Sequence, residues 1–258
     1  MKKAILILTL AAFASASSAQ IIKNNLLEGY KAGDILEKST YTEPDATAQE
    51  NIWCGGFTTS PKVKGTVSPV IGTELSYPGY HEAGPSIALG FENGIKGTRS
   101  SVYTLTSSGK VYRKGTYYLS FLVNFPTLGN KSPYDMVAIN ANHVGSSSRG
   151  QLFANRTEEG HLSFSIGLGK TKVAVPRTFD FKKTHLIVMK VDYTKNQVAL
   201  FIDPLLKNEE PAPDAVVDGD SDVFRAGIKA ISVCNNHSFR GHAGNFRFVK
   251  KWADIIAE

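Results

Sequence analysis

The sequence predicts an all-β chain folded as a two-sheet antiparallel sandwich, and three observations carry that expectation. In the run Gly115-Thr-Tyr-Tyr-Leu-Ser-Phe-Leu-Val-Asn-Phe-Pro126, Tyr117, Leu119, Phe121, Val123 and Phe125 alternate with Tyr118, Ser120, Leu122 and Asn124. A period of two with one strongly apolar face is a strand signature, and Pro126, which has no N–H to donate, marks its expected end. A second run, His185–Pro204, places Ile187, Met189, Val191 and Tyr193 on one face, turns at Thr194-Lys-Asn-Gln197, and returns through Val198, Leu200 and Ile202, which is a hairpin pattern. Ten or more short apolar runs separated by turn residues, with little helical periodicity and no internal repeat, complete the case.

The chain of 258 residues opens on a pattern expected of a secretory signal. Lys2 and Lys3 precede an apolar stretch from Ala4 to Ala14, and Ser17-Ser18-Ala19 offers a small-x-small cleavage site. The apolar stretch is too short for a permanent membrane span, and no Cys follows it to take a bacterial lipid anchor. Export to the periplasm, cell surface or medium of a bacterium is the expectation. The organisation expected is a signal over 1–19, an N-terminal strand with irregular chain over 20–49, and a main domain over 50–258, with 20–258 forming one globular unit.

The elements follow in order. Residues 20–49 are weakly patterned, with a turn at Pro44-Asp45. Asn51–Phe57 is a short strand whose Gly55-Gly56 pair predicts a bulge. Pro61–Gly72 alternates Val63, Gly65 and Val67, and Leu75–Tyr80 turns on Pro78-Gly79. Ile87–Phe91 is a strand, and Glu92-Asn93-Gly94 signals a hairpin to Arg99–Leu105. Beyond Pro126, Tyr134–Asn140 is a strand, Asn142–Gly150 a Ser- and Gly-rich loop, and Gln151–Ala154, His161–Gly167 and Thr171–Val175 three short strands. Lys207–Asp222 is polar and acidic, a long surface loop. Ile228–Val233 and Asn245–Val249 are the last strands, and Trp252–Ala257 forms a final helical turn.

Charge is modest. Without Lys2 and Lys3 the chain keeps 27 basic against 23 acidic residues, a net charge of +4, and the basic residues are scattered. A solvated basic surface explains this better than a nucleic-acid patch. Cys54 and Cys234 sit in strand-like runs near opposite ends of the chain. Export permits a disulfide between them, and two separate buried thiols are the other reading.

Trp53-Cys-Gly-Gly, Leu75-Ser-Tyr-Pro-Gly, Gly115-Thr-Tyr-Tyr-Leu-Ser-Phe, Lys190-Val-Asp-Tyr193, Ile202-Asp-Pro204 and Trp252-Ala-Asp254 occur in an order that resembles secreted bacterial proteins of the concanavalin A-like lectin/glucanase superfamily, the laminin-G-like jelly rolls. The resemblance covers about residues 50–256. It implies a jelly-roll sandwich and a role in binding sugars, proteins or surfaces, in some members with calcium. The chain departs from the pattern at Gly244-Asn245, where relatives often carry an acidic pair before the final strand.

Catalysis has little to build on. The glucanase members place their carboxylates on one strand as Glu-x-Asp-x-Glu, and Glu43-Pro-Asp45 is the one near match, interrupted by proline. Gly167-Leu-Gly-Lys-Thr171 mimics a phosphate-binding loop but lies between strands, so it reads as a hairpin turn. Asp218-Gly-Asp-Ser-Asp222 alternates carboxylates as calcium loops do, yet Val223 and Lys229 replace the expected Gly and Glu, leaving Asp218, Asp220 and Asp222 as weak calcium candidates. His237 and His242 have no metal spacing. Sugar binding would use the aromatics Tyr77, Tyr80, Tyr134 and Phe239, with Asn142, His143 and Arg149 bonding hydroxyls. The expectation is therefore an exported, non-enzymatic module that binds carbohydrate or a cell-surface macromolecule. A structural or protein-binding component and a divergent glycoside hydrolase are the alternatives.

Overall fold

The computed structural model describes residues 20–22, 27–36, 52–57, 68–81, 84–90, 98–105, 111–141, 148–220 and 222–256. The expectations placed on 1–19, on 37–51, on 58–67 and on the turns over 91–97 and 106–110 lie outside them.

Two seven-stranded antiparallel sheets form a jelly-roll sandwich. Numbered in chain order, the first sheet holds β1 (Trp53–Phe57), β4 (Thr98–Thr104), β13 (Ala230–Asn236), β6 (Tyr134–Asn140), β7 (Ser148–Arg156), β8 (Leu162–Leu168) and β9 (Thr171–Ala174), side by side in that order. In the second, β12 (Ala215–Asp218), β11 (Gln197–Ile202), β10 (Thr184–Asp192), β5 (Thr116–Leu128), β14 (Phe239–Val249), β3 (Ser86–Leu89) and β2 (Ile71–Gly72) follow one another.

β5 is central, paired on one side with β10 and on the other with β14. Its residues Tyr117, Leu119, Phe121, Val123 and Phe125 are buried between the sheets as the alternation requires. Each such side chain contributes roughly 1.5–3 kcal/mol on burial, before ordering costs. The strand runs past Pro126, the expected end, to Leu128. Pairing with β10 has already stopped at Asn124, and a register shift interrupts the β14 ladder between Arg240 and His242, so the proline leaves no ladder partner waiting.

The β10–β11 hairpin pairs Ile187 with Ile202 through Asp192 with Gln197, as its alternation predicts. A register shift in β1 between Cys54 and Phe57 brackets the glycine pair. The Gly169-Lys170 turn joins β8 to β9, and its first residue takes a φ of 60°, as a two-residue hairpin turn demands.

Two expectations are corrected. β3 and β4 are not a hairpin: β3 pairs with β14 in one sheet and β4 with β13 in the other, so the chain crosses between layers here. The local Asn93-Gly94 signal says nothing about which sheet receives the next strand. The acidic loop 207–222 contains β12, which closes the edge beside β11. Cys54 and Cys234 lie on the two strands that flank β4. Cys54 stands opposite Val102 and Cys234 opposite Ser100.

A second, smaller hydrophobic cluster covers the outer face of the second sheet. Tyr118, Leu122, Leu186, Val188, Phe201 and Val249 point away from the main core and pack under Leu75, Tyr80, Trp252 and Ile255. The 3-10 turn Trp252–Ile255 is held there by Arg247, which donates to the carbonyls of Asp254 and Ile255 at 2.9 and 3.1 Å. The Trp252 indole N–H donates to the Lys207 carbonyl, and Glu210 accepts from Tyr118 and Lys190, so the 205–210 segment is tied down as well. At the other end of the chain, Ile22, Leu27 and Leu36 are buried in the main core, and Ile21 donates to the carbonyl of Phe248.

Candidate functional site

The outer face of the second sheet is occupied by this roof of side chains, which directs attention to the outer face of the first. Leu152, Ala154, Leu162, Phe164 and Ile166 are in the core. Strand alternation therefore turns Gln151, Phe153 and Asn155 of β7, and Ser163, Ser165 and Gly167 of β8, outward. Register sets them opposite one another: Gln151 against Gly167, Phe153 against Ser165, Asn155 against Ser163. Gln151, Phe153, Asn155 and Ser163 are half-buried, and Lys172 of β9, opposite Gly167, is exposed. Towards β6 and β13 the floor continues through the buried pair Asn140 and Ser232, whose amide and hydroxyl are 2.7 Å apart.

Phe153 lies across Gly167. A Cβ at that glycine would come within 2.6 Å of the ring. The Lys172 ammonium sits 3.9 Å from the ring centroid, a cation–π contact. The arrangement sets one aromatic ring against Gly167, on a sheet face whose neighbouring strand positions are Gln151, Asn155, Ser163 and Ser165. Asp135 is the one carboxylate in the strands of this sheet.

Among the described residues, those singled out from sequence do not gather at one place. Tyr80 is buried in the roof of the second sheet, its hydroxyl 3.0 Å from Ser120 Oγ and donating to the Asn245 carbonyl at 2.8 Å. Tyr77 lies beside it; burial, with the charge and hydrogen bond of Asp203, pushes its phenol up to about 12. The turn between them closes as expected, with Tyr80 N–H on the Tyr77 carbonyl and Gly79 at a φ of 77°. Phe239, expected on a loop, is the first residue of β14 and is 0% exposed, its ring 6.0 Å from that of Phe125. Arg149, expected on a loop, is a bulge residue of β7, 4% exposed, its pKa lowered by burial and supported by the neighbouring Tyr193. The Ser-rich composition that spelled a loop supplies the small residues beside that bulge. Tyr134 opens β6 and is 37% exposed. Asn142 and His143 lie outside the described residues.

The calcium candidates are dispersed. Asp218 accepts from the Gln197 amide, Asp220 caps the Val223 N–H, and Asp222 pairs with Arg225. Among the described residues, no three His, Cys, Asp or Glu side chains gather as a metal site.

Two pairs resemble catalytic machinery and fail on geometry. Ser86 Oγ is 3.2 Å from His242 Nδ1, but the hydroxyl is fully buried and donates to the Thr73 carbonyl at 2.6 Å, so it has no proton to hand the imidazole. His185 sits between Asp203 and the Asp180 carbonyl, with both ring nitrogens engaged and 1% of the residue exposed.

The Phe153 platform was missed by sequence reading. Its signal was present in the alternation Ser163-Phe-Ser-Ile-Gly167, which puts a glycine on the outward face. That this glycine faces β7 next to Phe153 is a matter of register, which a single strand does not display.

Comparison with known proteins finds no matching family model and no matching curated sequence. Solved structures with a related architecture include an alginate lyase from Pseudomonas aeruginosa, at 7% identity and a TM-score of 0.45, covering 69% of this chain and 86% of that one. The globular domain of T. cruzi calreticulin gives 10% and 0.45, covering 79% and 86%. A pentraxin from Limulus polyphemus gives 6% and 0.43, covering 66% and 79%. At this distance they bear on no residue of the site. Among the described residues, no helix is long and apolar enough to cross a membrane.

Proposed function

We propose that this protein is an exported, non-catalytic module that binds carbohydrate on the outer face of its first sheet, around Phe153. The observation that carries the reading is the Phe153 ring spread over Gly167 among Gln151, Asn155, Ser163 and Ser165. A pyranose presents an apolar C–H face and a rim of hydroxyls. An aromatic face takes the first once the exposed Lys172 side chain, whose ammonium sits over the ring, swings aside, and amides and hydroxyls, which both donate and accept, take the second. Hydrolysis by the usual route needs two carboxylates about 5–9.5 Å apart. The strands of this sheet supply Asp135 alone, which favours binding over cleavage. Export rests on the charged, apolar and small-residue pattern of the first nineteen residues.

Affinity electrophoresis through gels cast with individual neutral and acidic polysaccharides tests the reading. At least one polysaccharide should retard the protein, and Phe153→Ala should abolish the retardation while the circular dichroism spectrum stays unchanged. Retardation that survives Phe153→Ala would remove this face as the site. Migration unaffected by every polysaccharide would favour a protein partner.

A further inference from the structure

A cleft of about 410 Å³ opens between the end of β5, the β13–β14 turn and the end of β7. Thr127, Leu128, Gly129, Arg156, His237, Ser238 and Arg240 line it. The size falls within the range of small-molecule sites, roughly 300–1,000 Å³. Two of the lining residues are arginines, one is a histidine and none is acidic.

Neither arginine is neutralised. Arg156 is fixed at the end of β7 by its backbone N–H on the Asn130 carbonyl, and its guanidinium makes no hydrogen bond or ion pair among the described residues. Arg240 donates from one terminal nitrogen to the carbonyls of His237 and Phe239, at 3.0 and 2.6 Å. Carbonyls orient a guanidinium without cancelling its charge, and Nη2 and Nε stay available. The carboxylate of Glu158, close by in sequence, is engaged by Lys131. Two cations are thus presented to one concave space, one of them held in place by the backbone, which reduces the ordering that a ligand must impose.

We propose that this cleft receives a single oxyanion, a carboxylate or a sulfate, held between Arg156 and Arg240. The planar guanidinium matches both anions with paired N–H donors. The hydroxyls of Thr127 and Ser238 and the His237 ring supply further polar contacts on the same wall. The anion can be free or carried on a sugar, and the cleft has room for a ring attached to it. This site stands independently of the Phe153 platform, and either can fail without the other.

The test is an amide-resolved NMR titration of the whole protein at constant ionic strength with three probes: sodium sulfate, galacturonate and galactose. Saturable shifts at Gly129 and Ser238 with galacturonate, but not with galactose, are expected. Saturation by sulfate alone would place the ligand among inorganic anions and still support the site. Arg156→Gln should weaken binding about ten- to hundredfold, the range for a charge-assisted hydrogen bond, while Arg156→Lys, which keeps the charge but loses the paired donors, should weaken it less than Arg156→Gln does. Shifts absent at Gly129 and Ser238 with every anion would overturn the proposal. So would equal affinity in the Arg156→Gln protein.

Discussion

His185 Nδ1 lies 2.7 Å from a carboxylate oxygen of Asp203, the residue that ends the β11 strand and turns the chain back. The other ring nitrogen is 2.9 Å from the Asp180 carbonyl, and the second Asp203 oxygen accepts from the Leu186 N–H at 3.0 Å. Asp203 takes a φ of 48°, a conformation that aspartate tolerates better than most residues, so one side chain serves the turn, the strand and the buried imidazole.

Burial raises the Asp203 pKa, but the hydrogen bonds from His185 and Leu186 and the charges of His185 and Lys183 outweigh it, and the net shift is downward. The folded state therefore prefers the carboxylate. That stabilisation is complete above the ordinary aspartate value near 4, and it is lost as pH falls through the lowered folded value. Asp203→Asn should cost about 1–3 kcal/mol at neutral pH. It should also flatten the fall in melting temperature below about pH 4. An acid limb identical in the two proteins would show that Asp203 is not the group being titrated.

The alkaline limb belongs in part to Tyr77. Its phenol is pushed up to about 12 by burial and by the Asp203 carboxylate. A raised folded pKa gives a contribution that is full below the unfolded tyrosine value near 10. It is lost as pH rises through the folded value. Unfolding free energy should decline between about pH 10 and 12, and less steeply in Tyr77→Phe. Tyr118 and Tyr193 shift the same way, chiefly through burial, so part of the decline should persist in that variant. Denaturant melts at stepped pH provide the measurement.

Two glycines with left-handed backbones should respond very differently to alanine. At Gly90, with a φ of 99°, a Cβ would stand 2.0 Å from the Phe239 carbonyl oxygen, and both backbone polar groups are held by the Asn235 amide. At Gly115, with a φ of 81°, a Cβ would meet nothing within 4 Å. Gly115→Ala should cost only the backbone strain, about 1–2 kcal/mol. Gly90→Ala adds a backbone clash and should exceed about 3 kcal/mol. Equal losses in urea melts would mean that the close approach of β3 to β14 is not as tight as described.

The architecture was legible where a run was long and its period unambiguous. Tyr117–Phe125 and Ile187–Ile202 announce their inward faces, and the structure buries them as the pattern requires. The errors share a cause. Asn93-Gly94 is a sound local turn signal, but the sheet that β4 joins is decided by pairing with β13, over a hundred residues away. Aromatics near turns, such as Tyr80 and Phe239, looked like ligand groups because nothing in their own segments reveals what packs over them. Phe153 and Gly167 are the reverse case, unremarkable in their segments and informative only once paired.

That pairing yields a prediction about binding alone. Gly167→Ala would put a methyl 2.6 Å from Phe153 Cε2 and 3.3 Å from the Thr171 carbonyl oxygen. The nearer atom is the far end of a rotatable side chain on the outer face, so the ring can lift while the sheet stays intact. Lifting it tilts the apolar surface away from the amides of Gln151 and Asn155 and from Lys172. Polysaccharide affinity should fall about five- to tenfold, in line with the worth of an oriented aromatic contact. The melting temperature should move by no more than a few degrees, since a change of about 1 kcal/mol shifts a domain of this size by roughly 2–4 °C. Phe153→Ala, which removes the surface altogether, should bind more weakly still. If Gly167→Ala binds as well as the parent protein while Phe153→Ala does not, the ring matters but its flat seating on the glycine does not, and the geometry of the platform would have to be redrawn.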